Sequence, residues 1–235
     1  MGNSWFQFQQ FRVHQDRCAM KISTDAVLLG SLAKAEKPEK ILDIGTGTGV
    51  IALMLAQRFP DSKITAIEID PDAAVQATEN FRESPFSERL ELFHGRVQEF
   101  ALRENYDLIV SNPPFFPHHL KSQDSKRNKA LHTDELSFGE LIEKTVLLLT
   151  KSGIFWVILP PRQMLDLEVL AERSGLYLQQ KVTVQDSVEK PIHREIGSFS
   201  FSQADKKEGN IILKDSDSSH SRSYSALLSG FLLGF

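Results

Sequence analysis

Two short segments carry residue types whose spacing could do chemistry. The first is Asn112-Pro113-Pro114-Phe115. An amino group on an aromatic ring, such as that of adenine, is a poor nucleophile because its lone pair is delocalised into the ring. Two acceptors aimed at its two N–H groups would hold it and favour a tetrahedral nitrogen, freeing the lone pair for attack. The Asn112 side-chain oxygen and the Pro113 carbonyl can supply both. Two prolines stiffen the loop and keep this geometry preorganised, and Phe115 can stack on the base. The reaction that fits is in-line transfer of a sulfonium methyl to nitrogen, in which orientation supplies much of the acceleration. Neither a metal nor a strong base is needed, because the product nitrogen sheds its proton once methylated. Taken alone, the tetrapeptide would serve equally well as a strand terminator with Phe115 in the local core.

The second segment is Asp43-Ile44-Gly45-Thr46-Gly47-Thr48-Gly49. Three glycines at alternate positions let the backbone approach a ligand without interference from Cβ. The spacing is not the dinucleotide fingerprint G-x-G-x-x-G, since the residue three after Gly47 is Val50. The Lys and Ser/Thr of a P-loop are missing too. A nucleotide-like ligand without a pyrophosphate is the better fit. Glu68 follows Gly49 by 19 residues and closes the next strand-like run, where a carboxylate can accept both hydroxyls of a ribose. The competing reading is a tight turn and a solvated strand end.

The surrounding pattern shows what positions these residues. From Lys40 onward short apolar runs alternate with amphipathic stretches, the signature of a parallel sheet wrapped by helices on both faces. Strands are expected at 41–44, 63–69, 90–93, 106–111 and 154–159, with helices over 50–59, 71–82, 138–150 and 162–174. Asp70-Pro71 reads as an N-cap followed by proline at the first helical position. Both chemical segments then fall at the carboxyl ends of strands, where open α/β sheets bind ligands. Two later runs, 178–185 and 195–203, have no helix between them and read as a hairpin, giving one sheet edge antiparallel character. Residues 205–223, rich in Ser, Asp and Lys, are expected to form a surface loop, and the apolar 224–235 to dock on the body. Residues 1–39 read as an N-terminal extension with a helical piece near 25–34, expected to cap the cofactor site, ahead of one catalytic domain spanning 40–235.

Composition bounds the setting. A chain of 235 residues with 41% hydrophobic residues can bury a full core, and its single cysteine, Cys18, excludes an intramolecular disulfide framework. No apolar run approaches the length of a membrane span, and the polar start lacks a signal-peptide h-region, so a cytoplasmic protein is expected. The formal charge of −4 argues against an indiscriminate polyanion binder. The local charges argue otherwise. Lys121, Lys126, Arg127 and Lys129 stand against Asp124 alone in 117–132, a local +3 in the loop leaving Phe115. These cations could hold phosphates beside a flipped nucleotide. Arg12, His14 and Arg17 form a smaller basic group, and Lys190, His193 and Arg194 a third.

These segments resemble a known family. Asp43 to Gly49, Glu68 and Asn112 to Phe115 look like motifs of class I S-adenosylmethionine-dependent amino-methyltransferases. The resemblance implies a Rossmann-like, seven-stranded, mostly parallel sheet with a C-terminal antiparallel hairpin. The run from His14 through Gly30 (HQDRCAMKISTDAVLLG) narrows it, resembling bacterial tRNA1(Val) adenine-37 N6-methyltransferases over most of the chain. By position, the resemblance places Lys21 and Thr24 near the methionine end of the cofactor, Asp43, Gly45, Gly47 and Gly49 in its glycine loop, and Glu68 on its ribose. Asn112 to Phe115 become the target-base site. Relatives often carry an acid after the glycine that follows the third strand; here Gly95 is followed by Arg96, so the Val97 backbone and apolar neighbours are expected to hold the adenine. The implied protein is a monomer acting on tRNA, away from membranes, with S-adenosylmethionine and no metal. Other acceptors that such a tetrapeptide serves are guanine N2 in rRNA and a glutamine amide in a protein. A non-catalytic RNA-binding subunit that keeps the pocket is a further alternative.

Overall fold

The computed structural model describes residues 3–101, 104–114 and 136–235. An N-terminal hairpin, β1 (Trp5–Gln7) and β2 (Arg12–His14), precedes α1 (Thr24–Leu32). Then follow β3 (Lys40–Ile44), α2 (Val50–Arg58), β4 (Lys63–Glu68), α3 (Pro71–Glu83), β5 (Leu90–His94) and β6 (Tyr106–Ser111). After the undescribed stretch come α4 (Phe138–Leu148), β7 (Leu149–Leu159), α5 (Pro161–Arg173), β8 (Tyr177–Gln185), β9 (Ile192–Ser200), β10 (Lys207–Ile212) and α6 (Arg222–Leu228). The main sheet has the order β10-β8-β9-β7-β6-β3-β4-β5, and β9 alone runs against the others. Strand order reverses between β3 and β6, so a crevice opens beyond their carboxyl ends.

Local sequence explains the ends that face this crevice. Asp70 caps α3 by accepting from Ala73 N at 2.8 Å, with Pro71 at the first helical position. Ser137 and Glu140 close a reciprocal capping box on α4. Gly49 caps α2 at φ +82°, where a Cβ would come within 2.5 Å of the Phe81 ring, so the turn and the packing of α3 both require glycine.

One core is buried on each face of the sheet. Phe8, Phe11, Val13 and residues 26–29 of α1 belong to the same cluster as Ile41, Leu53 and Trp156, so the N-terminal extension packs into the body. Trp156 is 1% exposed, and its indole N–H donates to Lys34 O at 2.9 Å. Trp156→Phe keeps most of the apolar volume but leaves that carbonyl unpaired. We expect a loss of about 1–3 kcal/mol in chemical denaturation.

The sheet departs from the seven strands expected. Lys207–Ile212 lies within the segment expected to be a surface loop, yet it pairs in parallel with β8 over six residues and adds an eighth strand among the described residues. It is the edge strand, and its first four residues are exposed. The 178–185 and 195–203 runs do form the antiparallel pair, as β8 and β9.

Candidate active site

Four strand ends build a cavity of about 330 Å³. Ile44, Gly45 and Gly47 come from the β3–α2 turn, and Ile67, Glu68, Ile69 and Asp70 from the end of β4 with Ala73 of α3. Gly95, Arg96, Val97 and Gln98 follow β5, and Ser111, Asn112, Pro113 and Pro114 end β6. Leu136 and the N-terminal residues Cys18, Ala19 and Met20 complete the wall.

Backbone hydrogen bonds knit these loops into one rim. Gly45 N and Thr46 N both donate to Ile67 O, at 2.9 and 3.0 Å, and Gly95 N donates to Glu68 O at 2.8 Å. The Glu68 carboxylate accepts from Gly47 N at 2.8 Å on one oxygen and from Asp70 N at 2.9 Å on the other. Each oxygen keeps a lone pair for a further donor. Ser111 Oγ donates to Ile44 O at 2.9 Å, fixing the base of the Asn112 loop to the strand that carries the glycines. Pro113 is buried, Asn112 half-buried and Pro114 exposed.

Asp43 sits behind the loop, fully buried. Thr46 Oγ1 donates to its Oδ2 at 2.6 Å, while Oδ1 has no hydrogen-bond partner among the described residues. Burial, and then the negative charge of Glu68, push its pKa from the ordinary 3.8 up to about 7, against the opposing bond from Thr46. Between these values the folded chain holds a proton that the unfolded chain has lost, so stability falls as pH rises through the window and levels off above it. Asp43→Asn should flatten that decline, read as Tm against pH. Burial, with Glu68 and Asp70 nearby, pushes the Cys18 thiol up to about 11, away from the range of a reactive thiolate.

The structure gathers most, but not all, of the residues singled out above. Gly45, Gly47, Glu68, Val97, Asn112, Pro113 and Pro114 line one cavity. Asp43 and Gly49 support the glycine loop from behind. Lys21 and Thr24 do not line it; Lys21 Nζ donates to Asn3 O at 3.4 Å, and Thr24 opens α1 on the surface. Arg194, expected on an RNA-facing rim, is drawn inward: its Nε donates to Asp25 Oδ2 at 2.6 Å and its Nη1 to His193 O at 2.7 Å, joining β9 to α1. Arg17 is ion-paired with Glu79 at 3.2 Å, and the Arg12 guanidinium lies 4.4 Å over the Trp5 ring. Phe115, Lys121, Lys126, Arg127 and Lys129 lie outside the described residues. Cys18, Ala19 and Met20, within the extension expected to cap the cofactor site, form the N-terminal wall of the cavity, although none of the three carries a ligand-binding signature of its own. Among the described residues no cluster of three His, Cys, Asp or Glu side chains could hold a metal, and no helix is long and apolar enough to cross a membrane.

This site lies on the fold of class I S-adenosylmethionine-dependent methyltransferases. The chain superposes on a predicted O-methyltransferase from Agrobacterium tumefaciens with a TM-score of 0.66, covering 88% of this chain and 96% of that one at 18% identity. Residues 20–172 match the methyltransferase small domain family. A tRNA1(Val) (adenine(37)-N6)-methyltransferase of Bacteroides fragilis is 43% identical over 239 residues, 99% of each chain. One from Pedobacter heparinus is 40% identical over 230 residues, 98% of each chain. The chain belongs to the tRNA1(Val) (adenine(37)-N6)-methyltransferase family.

Proposed function

We propose that this protein transfers a methyl group from S-adenosylmethionine to the exocyclic N6 of an adenine in tRNA, with adenine 37 of tRNA1(Val) as the target. The observation that carries the reading is that Asn112, Pro113 and Pro114 border the same cavity as Gly45, Gly47 and Glu68. One site thus brings the acceptor residues to the place suited to an adenosine-containing donor.

The cavity suits that cofactor. At Gly45 and Gly47 the space a Cβ would take is open, leaving a cradle along the glycine turn. Of the two lining carboxylates, Asp70 is engaged as the cap of α3, which leaves Glu68 as the acceptor available to ribose hydroxyls, and Ile44, Ile67, Ala73 and Val97 give apolar walls for a base. When bound, S-adenosylmethionine supplies an electrophilic methyl group. The remaining work falls to the chain. Asn112 Oδ1 and the Pro113 carbonyl accept the two N6 hydrogens and turn the amine lone pair toward the donor. The Ser111 bond to Ile44 O and the two prolines hold these acceptors still. The apolar walls keep water from competing as a nucleophile. The proton left on the methylated nitrogen passes to solvent without a dedicated base.

Flipping the base out of its stack exposes the amine, and the cations Lys121, Lys126, Arg127 and Lys129, which follow Phe115 in sequence, with Arg12 and Arg17, are the groups expected to meet RNA phosphates. The test is incubation of the purified protein with labelled S-adenosylmethionine and total tRNA, followed by nucleoside analysis. Labelled N6-methyladenosine is the expected product. Label in guanine, in protein or nowhere would refute the acceptor assignment.

A further inference from the structure

α3 carries Gln76, Glu79, Asn80 and Glu83 at a spacing that places all four on one stripe. Gln76 and Asn80 are fully buried, at 1% and 0% exposure, and both bond to the backbone of the N-terminal segment. Asn80 Oδ1 accepts from His14 N at 2.8 Å, and its Nδ2 donates to His14 O at 2.9 Å and to Thr48 O at 2.8 Å. Its amide thus pairs with His14 as a neighbouring strand would, and one of its two N–H bonds goes to the glycine loop. Gln76 Oε1 accepts from Arg17 N at 3.1 Å. On the outside Glu83 lies 3.2 Å from His14 Nε2, and Glu79 ion-pairs with Arg17 at 3.2 Å. From the other side Gln15 closes residues 15–22 into a loop. Its Oε1 accepts from Ile22 N and its Nε2 donates to Asn3 O, both at 3.0 Å. The segment held between these anchors is Cys18, Ala19 and Met20, the N-terminal wall of the cavity.

Buried amides are costly unless their donors and acceptors are matched. Here they are matched to two loops distant in sequence, both of which border one cavity. We propose that Gln15, Gln76 and Asn80 are positioning residues that fix residues 18–20 as a wall of the cofactor site. Asn80 holds this wall in register with the glycine loop through His14 and Thr48. The N-terminal strap is thus a built part of the binding site. This rests on the cofactor reading above, and its test separates the two.

Asn80→Ser and Gln15→Ala are compared with the unaltered protein in three measurements: calorimetric binding of S-adenosylhomocysteine, steady-state kinetics, and trypsin cleavage after Arg17 and Lys21. Gln15→Ala touches only the strap and guards against loss of folding in Asn80→Ser; far-UV circular dichroism reports folding. The expected result is folded variants in which Kd and the cofactor KM rise about tenfold, the equivalent of one lost hydrogen bond, while kcat at saturation stays within about twofold. Cleavage at the two strap sites should quicken. S-adenosylhomocysteine should slow that cleavage in the unaltered protein. Unchanged Kd in folded variants, or a fall in kcat with KM unchanged, overturns the positioning role and leaves the cofactor reading standing. Failure of the unaltered protein to bind S-adenosylhomocysteine overturns both.

Discussion

Asn112→Ala should lower kcat for methyl transfer by about 10³-fold, the scale seen when one preorganised polar contact to a reacting group is removed, while leaving cofactor binding nearly intact. Asn112 follows β6, and its neighbour Ser111 is bonded to Ile44 O at 2.9 Å, so the side chain starts from a fixed backbone. Removing its oxygen takes away one of the two acceptors that orient the amine, and the Pro113 carbonyl alone cannot set the direction of the lone pair. The glycine turn and Glu68 make no side-chain bond to Asn112 and keep their own hydrogen bonds. The check is a pair of measurements on one preparation: single-turnover rate with tRNA, and calorimetric Kd for S-adenosylhomocysteine. A variant with normal turnover would remove Asn112 from the chemistry.

Glu68→Ala should act on the other half of the reaction, raising Kd for the cofactor by about 10²-fold. In the proposed role, two ribose hydroxyls donating to the carboxylate would make charge-assisted bonds worth about 1.5–3 kcal/mol each, of which only part is lost once water replaces the partner. The structure adds a reason for the effect to be large. Both carboxylate oxygens also hold the backbone of the rim, at Gly47 N and Asp70 N. Glu68→Gln is therefore not a mild change, because its amide must turn an N–H toward one of those two N–H groups. We expect Gln to bind the cofactor almost as weakly as Ala. A Gln variant with unaltered affinity would show that the charge and its two backbone bonds are dispensable.

Much of this site can be read from the chain because each part is local. A glycine turn, an acid at a strand end and an Asn-Pro-Pro terminator are each fixed within a few residues, and a parallel α/β sheet brings carboxyl strand ends together. The elements that could not be read depend on partners distant in sequence. β10 shows no apolar alternation, because it is an edge strand whose first four residues face solvent; its six backbone pairings with β8 define it. Arg194 looks like a surface cation until the fold places it 2.6 Å from Asp25, 169 residues away. Gln76 and Asn80 look like the wet face of an amphipathic helix, and only the fold of residues 14–17 against α3 buries them. Lys21 and Thr24, expected near the methionine end of the cofactor, follow in sequence the wall that Cys18, Ala19 and Met20 form and do not line the cavity themselves.

The charge distribution is consistent with an RNA substrate. A formal −4 over the whole chain, with cations concentrated in the sequence after Asn112 to Phe115 and near the N-terminus, would favour docking in one orientation over loose attraction to any polyanion.

The central claim is that the amine held at Asn112 is N6 of adenine 37. It is tested most directly with two transcripts of tRNA1(Val), one carrying adenine at position 37 and one carrying guanine there. Each is incubated with S-adenosylmethionine bearing a deuterated methyl group and digested for nucleoside mass spectrometry. Deuterated N6-methyladenosine is expected from the first transcript and no label from the second. Equal labelling of both, or label recovered as a methylated guanine, would contradict it.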